Sequence, residues 1–92
     1  MISADFILTS EPTTLFDSDA SDKKIHTMVL SNETESDTQY AVTWEGQTSY
    51  TGIVKAFQTA SIFERVWYSH EAGVVLTAEG DGLTLHMVYE DV

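Results

Sequence analysis

Hydrophobic and polar residues alternate with a period of two along much of this chain. In "KKIHTMVLSN" (23–32), Ile25, Thr27 and Val29 fall on one side and His26, Met28 and Leu30 on the other. In "TQYAVTWEG" (38–46), Tyr40, Val42 and Trp44 share a side. In "LTLHMVYE" (83–90), Leu83, Leu85, Met87 and Tyr89 do the same. Successive strand residues point to opposite faces, so this alternation predicts half-buried β-strands. "VVLTAE" (74–79) and "TTLF" (13–16) add shorter ones, and 25–30 is expected to pair with 38–46 through the acidic turn "NETESD" (32–37).

The stretch 52–73 is read less directly. Ile53, Phe57, Ala60 and Trp67 fit a helical stripe, and a short helix within 53–68 is the alternative there. Strands at Ile53–Phe57 and Ser61–Ser69 are preferred, because β-branched and aromatic residues dominate. The whole pattern predicts an all-β chain: one antiparallel β-sandwich or small barrel of about seven short strands. Residues 1–12 are expected to form an N-terminal extended arm or an edge strand, since Pro12 forbids a continuing central strand. Residues 13–92 form the β-sandwich domain.

Ninety-two residues suffice for one domain with a modest core. Fifteen acids against four bases leave a net charge of −11. Such a chain is a poor partner for nucleic acid or an anionic membrane, whose phosphates require a basic face. With 42% hydrophobic residues it is too apolar for a disordered acidic tail. The absence of cysteine removes disulfides, thiol nucleophiles and CxxC zinc sites. "MISADFILTS" lacks the basic start and long apolar run of a signal peptide, so the expected site of synthesis and assembly is a cytoplasm. Asn32-Glu33-Thr34 matches the glycosylation sequon and is read as chance.

Three features invite a chemical reading. Glu79-Gly80-Asp81-Gly82 lacks the lysine and helix of a phosphate loop and the ligand spacing of an EF-hand, so it is read as the turn of a closing hairpin. Asp17, Asp19 and Asp22 place acids at loop positions 1, 3 and 6. They form the better cation candidate, although positions 6 and 12 depart from the EF-hand. His26, His70 and His86 show no local ligand spacing, although His26 and His86 could meet across a sheet. No nucleophile signature appears, and the chain is read as a non-enzyme that needs no cofactor. Aromatic residues are numerous, and exposed ones mark interfaces. The interface candidates are Phe6, Leu8, Tyr50, Phe63, Trp67 and Tyr68.

Thr14-Leu15-Phe16, a loop, Lys23-Lys24-Ile25 and Val29-Leu30-Ser31-Asn32 form one block, and the run from Val74 to Leu85 forms another. This order resembles small β-sandwich virion proteins of tailed bacteriophages, which carry a similar strand, a lysine-led strand ending in Asn, and a Leu-x-x-Gly-Asp-x-Leu closure. Residues 45–70 depart from that pattern, and "DSDASD" replaces the usual Pro-x-Gly loop. The resemblance implies a structural role in a virion assembled in the host cytoplasm, most simply capsid decoration or cementing, with a neck or tail accessory role as the alternative. It implies other virion proteins as partners and a homo-oligomeric state. Two rivals come from other classes: an acidic nucleic-acid mimic that inhibits a DNA-binding protein, and a calcium- or carbohydrate-binding module.

Overall fold

The strands predicted from the alternation form two antiparallel sheets in a computed structural model that describes residues 1–45, 47–62 and 68–92. In chain order they are β1 (Ile2–Ile7), β2 (Thr13–Phe16), β3 (Lys23–Asn32), β4 (Thr38–Trp44), β5 (Gln47–Val54), β6 (Thr59–Ser61), β7 (Tyr68–His70), β8 (Leu76–Glu79) and β9 (Leu83–Asp91). The first sheet runs β1-β9-β3, with β6 and β7 both on the far side of β3. The second runs β2-β8-β4-β5. The result is a sandwich and not a closed barrel, and no helix occurs among the described residues.

Leu83, Leu85 and Met87 of β9 point inward as the alternation requires, opposite Asn32, Leu30 and Met28 of β3. Val42 of β4 faces the same interior with Leu76 and Ala78 of β8. Burying this apolar set stabilises the fold by roughly 25 cal/mol per Å² of surface removed from water. The segment 1–12 proves to be an edge strand: β1 pairs with β9 from Ile2↔Tyr89 to Ile7↔Thr84. Leu8, just beyond, is buried in the core.

Irregular pairing changes the expected alternation in two strands. In β3 one extra residue falls between Ile25 and Thr27. A bulge of this kind resets the side-chain parity. Ile25 is therefore buried along with Met28 and Leu30, not with Thr27 and Val29. A second irregularity between Thr14 and Phe16 lets consecutive Leu15 and Phe16 both enter the core.

The expected hairpins are corrected. β3 and β4 lie in different sheets, so residues 33–37 form a corner and not a hairpin. β8 and β9 also lie in different sheets, so Glu79-Gly80-Asp81-Gly82 does not close a hairpin. It turns the chain from the second sheet to the first. The preferred strand Ile53–Phe57 ends at Val54, where a turn over 55–58 carries the chain across. Period-two patterning finds strands but is blind to which neighbour each one pairs with.

Candidate interaction surface

The corners of the sandwich are built by specific polar contacts. Asn32 at the end of β3 is 1% exposed and uses its whole amide. Its Nδ2 donates to the carbonyls of Ser36 (2.8 Å) and Val54 (2.9 Å). Its Oδ1 accepts from Thr34 N (3.0 Å) and Thr34 Oγ1 (2.7 Å). The sequon asparagine is thus an internal clamp, with no side chain available to a glycan.

At the Gly80 corner, Leu83 N donates to Gly80 O (3.0 Å) and Gly82 has φ +82°. A glycine third in a four-residue turn supplies the positive φ that such a turn demands. The backbone of the first strand's continuation holds this corner: Gly80 N donates to Thr9 O and Gly82 N to Leu8 O. Asp81 is exposed. The stretch is a turn, as expected.

The Asp17, Asp19 and Asp22 loop also has a structural use. Asp17 Oδ1 accepts from Asp19 N (2.9 Å), whereas Asp22 Oδ1 turns away to accept from Ala72 N (2.7 Å). Among the described residues no three metal-ligating side chains converge. The histidines do not meet either. His26 Nε2 donates to Glu90 Oε1 (2.9 Å), and His86 Nδ1 donates to Asp5 Oδ1 (2.6 Å). The bond from His26 holds the Glu90 carboxyl below its usual range. Hydrogen bonds from Lys23 and Ser21 do the same for Asp91.

His70 is 2% exposed. Its Nδ1 accepts from Trp44 Nε1 (3.1 Å), and its ring lies 4.8 Å from that of Phe16. Nε2 then carries the proton and has no hydrogen-bond partner of ordinary geometry among the described residues. Burial pushes the pKa of His70 below its ordinary value, against a weaker opposing contribution from a backbone hydrogen bond with Val74. Phe16 also packs edge-on against Tyr89 at 4.9 Å, with the Lys23 ammonium 5.6 Å from both ring centres.

The aromatic interface candidates divide. Leu8 is buried in the core, and Phe6 is half-buried and packs against it. Tyr50 is half-buried, 5.8 Å from Trp44 in an edge-on contact. Tyr68 contributes its backbone to β7 opposite Ile25. Phe63 and Trp67 lie outside the described residues.

Among the described side chains the exposed aromatic is Phe57, which sequence reading placed inside a strand. It is 67% exposed and has φ +58°. Gln58 N donates to Lys55 O (3.0 Å), so Phe57 occupies the third place of a four-residue turn. A bulky side chain at positive φ is uncommon and strains the backbone. No turn residue announces it, since "KAFQ" has neither Gly nor Asn. Ile53, 57% exposed on the outer face of β5, lies close by in sequence. A hollow of about 500 Å³ beside Ile53 is lined also by Asp37, Lys55 and Gln58, and Phe57 is not in its wall.

A wider open groove of about 1020 Å³ runs past Tyr40, Gly52 and Ile53 toward Glu79 and Asp81. Hydroxyls such as those of Ser36 and Thr51 line it together with the carboxylates of Asp37, Glu79 and Asp81. Comparison with protein-family models, with curated proteins and with solved structures gave no match.

Proposed function

We infer that this chain is a structural component of a tailed-phage virion, acting as a capsid decoration or cement protein. A neck or tail accessory role is the alternative within the same setting. The virion setting comes from the resemblance of its strand blocks. The observation that carries an assembly role is Phe57, an exposed aromatic held at φ +58° on a corner of the sandwich. A fully exposed Phe gains little in an isolated domain, whereas seating it in a partner's pocket buries a large apolar area. Repetition over many symmetric copies would turn a modest single contact into firm attachment.

The acidic-mimic reading is weaker, because the acids serve local structure. Asp22, Asp37 and Glu45 accept from the backbone N–H groups of Ala72, Ala56 and Val75. Asp5, Glu90 and Asp91 pair with His86, His26 and Lys23.

The test is the protein content of purified particles. The chain should be present in a fixed, symmetric copy number, and Phe57→Asp should lower its occupancy while leaving its own fold intact. Absence of the wild-type chain from purified virions would end this reading.

A further inference from the structure

The two sheets expose several edges, and most are protected against pairing. β1 carries charged Asp5, bound to His86. β2 has four residues, a bulge and Pro12 just before it. β6 and β7 have three residues each. Short strands, charges, prolines and bulges are the usual means by which edges avoid unwanted partners.

β5 differs. It is eight residues long, "QTSYTGIV", with no charge and no proline. Its one irregularity sits near its start, where Ser49 is skipped between Thr48 and Tyr50 in the ladder with β4. From there to Val54 the ladder is regular. At Thr51, Gly52 and Ile53 the only strand partner among the described residues is β4. Val54 O is already used by Asn32, which marks the end of the open row.

Charge along the chain singles out the same place. No acid occurs between Glu45 and Glu64, the longest acid-free stretch in a chain of net charge −11. It contains β5, the Phe57 turn and β6. Asp37 lies beside it in space, with its carboxylate held by Ala56 N (2.9 Å). Two copies of so acidic a chain repel one another over most of their surface. They can approach closely where the acids are missing.

We propose that β5 is a self-association edge: it pairs antiparallel with β5 of a second copy about a two-fold axis near Thr51–Ile53. An antiparallel edge is complementary to itself under such an axis. The paired sheets become one continuous eight-stranded sheet, β2-β8-β4-β5 followed by the same order reversed. The side chains of Thr51 and Ile53 then stand beside those of the second copy as cross-strand neighbours on one outer face. This deepens the assembly reading by naming one contact, and it uses a different surface element from the Phe57 corner.

Sedimentation equilibrium of the full chain, with circular dichroism as the folding control, tests the proposal. The wild-type chain should form dimers. Ile53→Lys should weaken them at least about tenfold, because the lost apolar contact occurs twice across the axis. Thr51→Lys, at another exposed position, should act alike and guards against a misfolded variant. Raising salt should tighten the dimer by screening the repulsion between copies. Phe57→Ser, which adds no acid to this stretch, should leave dimerisation within about twofold, since an exposed side chain off the paired edge contributes little to it. A wild-type chain that stays monomeric at high concentration would overturn the proposal. So would dimers indifferent to both lysine variants, or dimers that salt dissociates. Monomers found at full occupancy on particles would remove this contact and leave the virion reading standing.

Discussion

At the scale of single residues, polar groups at the corners clamp the sandwich alongside its apolar interior. Asn32 makes every hydrogen bond its amide can make, to Ser36, Val54 and twice to Thr34. Asn32→Asp keeps the shape but replaces a donor by a carboxylate facing two carbonyls. A loss of about 2–4 kcal/mol is expected in urea unfolding, from the unsatisfied acceptors and a buried charge. Phe57 is the opposite case. Phe57→Gly removes the cost of positive φ, about 1–2 kcal/mol, and adds unfolded-state freedom of about 0.5–1 kcal/mol. The variant should be more stable by about 0.5–1 kcal/mol in the same assay at dilutions where the chain is monomeric. A destabilised Phe57→Gly would mean that the ring supports the fold and is not held for a partner.

At the scale of elements, most connections cross between the sheets, and each crossing depends on a few backbone groups. β4 and β5 are the only consecutive strands that pair directly with one another among the described residues. The Gly80 corner is the tightest crossing. A Cβ at Gly80 would sit 2.7 Å from Leu83 Cδ1 and 3.3 Å from Gln39 O. Gly80→Val should therefore cost about 1–3 kcal/mol through overpacking. Asp81→Asn, at the exposed tip of the same turn, should stay within about 0.5 kcal/mol of wild type. Thermal melting of both variants checks the contrast. Equal losses would show that Asp81 does more than solvate a turn. Gly52 serves a related end in β5. A Cβ there would lie 2.9 Å from the Tyr40 hydroxyl, so the missing side chain leaves room for that ring on the inner face.

At the scale of the whole molecule, protonation links stability to pH. His70 is buried and neutral with a lowered pKa, whereas in the unfolded chain it takes up a proton below its ordinary value near 6.5. The unfolded state then binds more protons, so stability is fully present above that value and falls as pH drops below it. Glu90 and Asp91, with lowered pKa values, add a further loss as pH falls through the carboxylate range. Melting temperature should fall between about pH 7.5 and pH 5.5. His70→Gln keeps an acceptor for the Trp44 indole N–H and should flatten that interval. An unchanged slope in His70→Gln would place the titration elsewhere. Folding should also be slow for so small a domain. β1 pairs with β9 and β3 with both β7 and β9, so distant segments must meet before much is gained.

Alternation by itself determined the longer strands β3, β4 and β9, the all-β class and much of the core, because a period of two is a local property of the chain. It placed Leu83, Leu85 and Met87 inside and made β9 recognisable. The turn at Gly80 was also legible, from glycines that tolerate what other residues resist. Pairing was not. Whether β8 joins β9 or the strands of the opposite sheet depends on contacts far along the chain, and no local pattern encodes that choice. The bulge in β3, the clamp of Asn32 on Val54 and the buried ring of His70 all follow from it. The tertiary structure alone decided them, because each exists only where two distant segments have met.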